Sequence, residues 1–186
     1  MSYTEIYKFG KDGSAGQVGE TRNAFRGAMS IWGILEEKYL PPHKTAWSMP
    51  GEKVSRVADM MNRNAMKEIW GLIDNPDISE VDKIVLASTF DNVIVSKENI
   101  PKLLDAFRSF EGNTSLKEQA EVIVSAISED PELIAIAWNQ TSVNGDAWES
   151  EETGEDEDGE EYYLPYNLNN SDKHWELFEN LKTHIS

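Results

Sequence analysis

The residues best suited to bind a ligand follow the most apolar stretch of the chain. Leu133 to Trp138 is apolar throughout, and it leads into uncharged hydrogen-bonding side chains at Asn139, Gln140, Thr141 and Asn144. Such a run at the end of a buried strand suits a binding site, because a rigid scaffold presents function on its loops. The alternative is a strand followed by an ordinary Asx-rich turn at Asn144, without a ligand.

Two arginines form the second part of this candidate pocket. The helical periodicity after Thr21 places Arg22 and Arg26 one turn apart near a helix start, where the helix dipole disfavours cations. A bound anion or a partner acid would resolve that conflict. Two solvated arginines, or an internal salt bridge, are the simpler interpretation.

No sequence motif establishes a catalytic or metal site. Cysteine is absent, which excludes disulfides and a thiolate nucleophile, and the three histidines are scattered along the chain. The glycine-rich residues 10–16 lack the Gly-Lys-Ser/Thr ending of a phosphate-binding loop. His43 and Trp47 lie in a proline-rich loop. Two interpretations are open, that one of them lines a pocket or that this is a surface loop with a packed tryptophan, which is the more common outcome. We therefore expect no cofactor and no metal, and we favour a non-enzymatic protein over an enzyme.

Acidic residues are concentrated in one segment. The net charge is −17, and residues 146–161 contain ten acids and no base. Without those ten, 24 of the 34 acids remain against 17 bases, which is a net charge of −7. The rest of the chain is therefore moderately acidic. No basic run is present that would bind nucleic acid or an anionic membrane. Electrostatic steering favours a basic protein as the partner.

The acidic segment is predicted to form a flexible excursion over residues 149–161. Its mutual repulsion and its lack of apolar residues leave too little burial to offset backbone ordering, which costs about 1–2 kcal/mol per residue. An EF-hand is excluded, because Gly154 and Pro165 would occupy its first and twelfth ligand positions. Weak binding of divalent ions by the polyanion stays open. The carboxylates that we assign to partner binding are Glu151, Glu152, Glu155, Asp156 and Asp158.

The remaining patterns predict a single α+β domain over residues 1–186. We expect an antiparallel or mixed sheet of about 4–6 strands, packed by about 5 helices. The predicted strands are Tyr3–Phe9, Gln17–Gly19, Ile84–Ala87, Val93–Val95, Leu133–Trp138 and the edge strand Tyr162–Tyr166. The strands Ile84–Ala87 and Val93–Val95 are expected to pair as a hairpin. The predicted helices begin at Thr21, Asn62, Glu98, Ser115, and Ser171 or Asp172.

The predicted compartment is the cytoplasm. The first residues lack the basic start and apolar core of a secretory signal, and no window approaches the roughly 18 apolar residues of a membrane span. The absence of cysteine is consistent with a reducing environment.

Three parts of the chain carry a resemblance to other proteins. They are Arg22–Met29 with Leu35–Pro41, Asn99–Pro101 with Phe110–Gly112, and Trp138–Asn144. Together they resemble a loosely defined group of small proteins from Gram-positive bacteria and their phages. The resemblance covers most of the chain outside the acidic segment. It implies a bacterial or phage cytoplasmic origin, and it brings no assigned activity.

Two functional hypotheses follow from these patterns. The first is an acidic interaction protein, an inhibitor or immunity-type binder of a basic protein that uses the acidic segment. The second is a small-ligand-binding protein or enzyme, with its pocket between the Arg22/Arg26 helix start and the Asn139–Asn144 turn. They differ in whether Arg26 and Asn139 share one concave surface.

Overall fold

Helices and strands alternate irregularly along the chain. The computed structural model describes residues 3–22, 27–44, 49, 52, 54–59, 61–113, 115–140 and 148–185. The strands are β1 (Tyr3–Phe9), β2 (Ala15–Arg22), β3 (Val93–Ser96), β4 (Ala135–Gln140), β5 (Glu149–Glu155), β6 (Glu161–Pro165) and β7 (Trp175–Glu176). The helices are α1 (Ala28–Tyr39), α2 (Arg63–Trp70), α3 (Glu80–Ala87), α4 (Ile100–Ser109), α5 (Ser115–Glu129) and α6 (Leu177–Ile185). The predicted α+β class is confirmed.

Five of the strands form one mixed sheet in the order β2-β1-β4-β3-β7. All neighbouring pairs are antiparallel except β3 and β7, which are parallel. Strands β5 and β6 pair with each other in a separate two-stranded hairpin. The number of strands and the mixed sheet agree with the prediction.

The middle strand, β4, is buried on both of its faces. Ile136 and Trp138 belong to the main core, which the helices build together with Ile6 of β1. The alternate residues Ala135 and Ala137 belong to a second, smaller core on the other face. A strand covered on both sides needs apolar residues without alternation, which is why residues 133–138 are all apolar.

The main core satisfies its buried polar groups internally. The Trp138 indole packs against Phe107 of α4, with ring centroids 5.9 Å apart. Its Nε1 donates to Gln119 Oε1 at 3.2 Å, and Gln119 Nε2 donates to Ser115 Oγ at 3.3 Å. Helix α5 is therefore tied to the middle of the sheet by a hydrogen bond, and helix α4 by apolar contact.

One predicted strand is a helix. Residues 84–87 lie in α3, so the predicted hairpin with residues 93–95 is wrong, although the latter residues do form β3. Ser79 caps α3 by accepting a hydrogen bond from the backbone N–H of Asp82 at 3.1 Å. All residues from Asp82 to Ala87 are buried. A helix buried on every side shows the same unbroken apolar run as a strand buried on both faces.

Two predicted helix starts are displaced. Thr21 lies in β2, and α1 begins at Ala28 with Gly27 as its N-cap. The final helix begins at Leu177 rather than after Ser171 or Asp172, because Trp175 and Glu176 pair with β3 as strand β7. By contrast, α4 has Pro101 in its first turn and α5 begins at Ser115, as predicted.

Asp82 links the end of α1 to the start of α3. Its buried carboxylate accepts hydrogen bonds from Lys38 Nζ at 2.6 Å and from the Tyr39 hydroxyl. Burial alone would raise the pKa of Asp82, but the hydrogen bonds from Lys38, Tyr39 and Ser79 outweigh it and leave the pKa below its ordinary value. The charged form is therefore the one that the fold stabilises.

We expect Asp82→Asn to lower the free energy of unfolding by about 2 kcal/mol at neutral pH, because a charge-assisted bond is lost from a buried site. Since folding lowers this pKa, the stabilisation is full above the unfolded pKa of about 3.9 and is lost as pH falls through the folded value. Urea unfolding between neutral pH and about pH 3 should therefore show a flatter pH dependence for Asp82→Asn. Glu80→Gln, an exposed change on the same turn, is the control. An unchanged pH profile for Asp82→Asn would contradict this role.

Candidate functional site

The predicted pocket residues fall at one end of the five-stranded sheet. On β1, Tyr3 pairs with Arg22 of β2, and Glu5 pairs with Asn139 of β4. Because β2 and β4 flank β1, Arg22 and Asn139 approach the same end of the sheet from opposite sides. Two strand spacings and an offset of two residues along the strands place their backbones about 12 Å apart. Gln140 is the last residue of β4, one register position further along.

The arginine half of the predicted pocket needs correction. Arg22 ends strand β2 and does not begin a helix, so the conflict with a helix dipole does not exist at this residue. Arg26, Thr141 and Asn144 lie outside the described residues. The convergence that the structure supports is therefore between the backbone of Arg22, the backbone of Gln140 and the buried side chain of Asn139.

A carboxylate not singled out from the sequence lies in this region. Glu5 Oε2 accepts hydrogen bonds from Asn139 Nδ2 and from the Tyr7 hydroxyl, each at 3.1 Å. Both donors are neutral, so Glu5 serves here as an ordered acceptor that joins β1 to β4. The sequence signal was present, because Glu5 alternates with Tyr3 and Tyr7 on one face of a strand.

The acidic segment forms the β5–β6 hairpin, which was not expected from its composition. Tyr162–Tyr166 was predicted as an edge strand, and its first four residues do lie in β6, whereas strand β5 was not predicted. Asp156 organises the turn, since its Oδ1 accepts from the backbone N–H of Asp158 at 2.9 Å and of Glu160 at 2.8 Å. Gly159 adopts a φ of 81°, a conformation that favours glycine. The flexibility of this segment stays a prediction.

The hairpin exposes its charges. Glu155 lies directly opposite Glu161 in the register, and like charges in that position repel across a sheet. The acids at both positions and through the turn are exposed, and so are the rings of Tyr162 and Tyr163, at 49% and 60%. Among the described residues, no group of three or more histidines and acids is arranged to hold a metal ion. The hairpin is thus an anionic surface with two accessible aromatic rings.

The base of the hairpin is firmly packed. Trp148, just before β5, meets Phe9 at a centroid distance of 5.2 Å and Tyr166 at 5.3 Å, both edge to face. Its Nε1 donates to the backbone carbonyl of Trp138 at 2.9 Å. Tyr166 also hydrogen-bonds His174 Nδ1 at 3.0 Å. Burial lowers the pKa of His174, the adjacent Asp172 opposing this effect more weakly.

A second cluster of polar residues surrounds the segment that follows α1. Glu36 is buried and accepts from Ser55 Oγ and from the Arg56 backbone N–H, both at 2.8 Å. The Arg56 guanidinium contacts Glu36 at 3.1 Å and Glu68 at 2.7 Å. Burial would raise the pKa of Glu36, but these hydrogen bonds keep it below its ordinary value. The sequence hinted at this only through the position of Glu36 on the apolar stripe of α1.

Comparison of the chain with protein-family models, with curated proteins and with solved structures found no match. Within the described residues, no helix has the length and apolar character needed to cross a membrane. The resemblance noted in the sequence stays a prediction.

Deleting Ser150–Gly159 should change the free energy of unfolding by no more than about 1 kcal/mol, because closure entropy varies slowly with loop length. The deletion leaves residues 160–164 to connect Glu149 with Pro165, which already face each other in the register. Trp148→Ala should instead cost about 3–5 kcal/mol, since it removes a buried aromatic side chain. Chemical denaturation of both variants measures the difference. A deletion variant less stable than Trp148→Ala would show that the hairpin itself holds the fold.

Proposed function

We propose that the protein is a non-enzymatic interaction protein whose β5–β6 hairpin binds a basic protein, as an inhibitor or immunity-type binder does. The observation that carries the proposal is the uncompensated charge of the hairpin. Residues 148–161 hold nine acids and no base. Among the described residues, the ion pair between Lys173 and Glu151 at 2.8 Å is the one that reaches the hairpin. Both side chains of that pair are largely exposed, so it contributes little.

Repulsion within the hairpin favours a cationic partner. Glu155 and Glu161 face each other across the strands, and the turn adds further carboxylates. A lysine or arginine placed between opposed carboxylates would remove this repulsion and add charge-assisted hydrogen bonds. A cationic partner would meet carboxylates whose relative positions the paired strands already fix.

The two exposed tyrosines add accessible aromatic rings to the charged surface of the hairpin. Tyr162 and Tyr163 lie on the same strand as Glu161, with their side chains on opposite faces of the hairpin. Aromatic rings stack with guanidinium groups, and tyrosine is enriched in protein interfaces. An arginine-rich partner therefore fits both the carboxylates and the rings. The firm base at Trp148 and Tyr166 anchors the hairpin while leaving its strands accessible.

The test compares two variants of equal net charge. The first neutralises the assigned carboxylates by Glu151→Gln, Glu152→Gln, Glu155→Gln, Asp156→Asn and Asp158→Asn. The control neutralises five exposed glutamates elsewhere by Glu80→Gln, Glu98→Gln, Glu111→Gln, Glu121→Gln and Glu129→Gln. Both raise the net charge by five, and both remove the charge from exposed side chains.

The wild-type protein and both variants are used as bait in lysate of the native host at about 50 mM salt, where surface electrostatics are weakly screened. The wild type and the control should retain the same basic protein, and the hairpin variant should lose it. Retention should also fall steeply with added salt. Retention of that protein by the hairpin variant, or retention of no basic protein by the wild type, would contradict the proposal.

The second candidate function is small-ligand binding at the sheet end that carries Arg22 and Asn139. It is supported by the register of β1 with both neighbours, which brings these positions to one end of the sheet beside the Glu5 carboxylate. Arg22→Ala separates the two candidates, because it leaves the hairpin intact. Unchanged retention of the basic protein by Arg22→Ala supports the hairpin as the site.

A further inference from the structure

A pocket of about 450 Å³ lies between the second half of α1 and the chain that follows it. That volume is within the range of small-molecule sites, about 300–1,000 Å³. Its apolar wall includes Leu40, Pro42 and Val54, and Glu37 and His43 contribute polar groups. It is separate from the acidic hairpin and from the sheet end that carries Asn139.

Gly33 lines this pocket, and its identity is not explained by the helix around it. A glycine inside a helix costs about 0.5–1 kcal/mol relative to alanine. Gly33 does not have a positive φ, and a Cβ at this position would meet no described atom within 4 Å. Neither backbone conformation nor close packing among the described residues therefore calls for glycine. A larger side chain would, however, occupy the pocket.

The one buried cation beside the pocket, within the described residues, is fully engaged. The Arg56 side chain is 4% exposed and bonds Glu36, Glu68 and the backbone carbonyl of Pro41. Ser55 in turn donates its hydroxyl to Glu36 at 2.8 Å. Two carboxylates thus share one guanidinium, so this cluster retains a net negative charge. Arg56 is not available to bind an anion in the pocket.

His43 contributes its imidazole to the wall of the pocket. Its Nε2 lies 3.1 Å from Asp59 Oδ2. The hydrogen bonds from His43 and Asn62 lower the pKa of Asp59, so its carboxylate is ionised and accepts the Nε2 hydrogen. Glu37 supplies an exposed carboxylate on the same side.

We propose that this pocket binds a small organic cation, a primary ammonium or guanidinium group carried on a short apolar chain. The charged head would pair with the exposed Glu37 carboxylate, and the chain would lie over Gly33 against Leu40 and Val54. The net negative charge of the adjacent Glu36–Arg56–Glu68 cluster raises the local concentration of such cations. The carboxylates of Glu37 and of the adjacent Glu36–Arg56–Glu68 cluster disfavour an anion here.

The test is a titration of the wild-type protein with butylammonium, followed by NMR. The resonances of Gly33 and His43 should shift together and saturate, with a Kd of about 1 mM or tighter. Butanol has the same chain without the charge and should bind about tenfold more weakly. Butyrate should produce no saturable shift. Equal responses to butylammonium and butanol would overturn the proposal.

Variants of the pocket sharpen the test. Gly33→Leu should abolish binding by filling the pocket, whereas Gly33→Ala should raise thermal stability and keep binding. Glu37→Gln should weaken binding about fivefold, and Glu111→Gln, an exposed change on another part of the surface, should have no effect. Butylammonium binding that survives both Gly33→Leu and Glu37→Gln would place the cation elsewhere.

The same titration distinguishes this pocket from the hairpin. At about 0.15 M salt, the variant with five neutralised hairpin carboxylates should bind butylammonium with wild-type affinity, because screening confines charge effects to about 8 Å. Loss of the basic partner with butylammonium binding retained would show two independent sites. Loss of butylammonium binding in that variant would assign the cation to the hairpin and overturn the pocket proposal.

Discussion

The constraint on which the structure depends is the burial of β4 on both faces. The helices cover one face, but the other face is covered by residues that come later in the chain. Trp148 and Tyr166 fill that role together with Phe9. The chain must therefore leave β4, cross the second face and return, and the acidic hairpin is the excursion between those two aromatic contacts. The packing of Trp148 and Tyr166 on the second face of β4 thus determines where the acidic hairpin leaves the core.

The protein separates carboxylates that support the fold from carboxylates that face solvent. Glu36 and Asp82 are buried, and each is compensated by a basic side chain, Arg56 or Lys38. Removing a carboxylate from water is costly without such a partner and without additional hydrogen bonds. Several basic residues are therefore used as internal counterions. The hairpin carboxylates remain outside this network, apart from the exposed contact of Lys173 with Glu151.

The sequence predicted those features that depend on local pattern. The alternation in β1, the two-sided burial of β4 and the proline in the first turn of α4 can all be read from neighbouring residues. Helix α3 was missed because burial on every side removes the polar face that distinguishes a helix from a strand. The pairing of Glu36 with Arg56 could not be predicted, because it depends on the path of the chain between them. The approach of Arg22 and Asn139 required the strand order, which no local pattern contains.

Strand order also sets the sequence of events during folding. Strands β1 and β2 are neighbours along the chain and can pair early. The second partner of β1 is β4, whose Gln140 pairs with Thr4, so this pairing requires residues that are far apart in the sequence. Contacts between such distant residues close slowly, because a large loop must be ordered first. During synthesis, the inner edges of β1 and β3 stay open until β4 has emerged, and open edges of that kind promote association between chains. The ten carboxylates of the acidic segment follow β4 in the chain, and residues 1–140 hold only 21 acids against 15 bases, a net charge of −6. Strong repulsion between chains is therefore added only after β4 has emerged and the sheet edges can close.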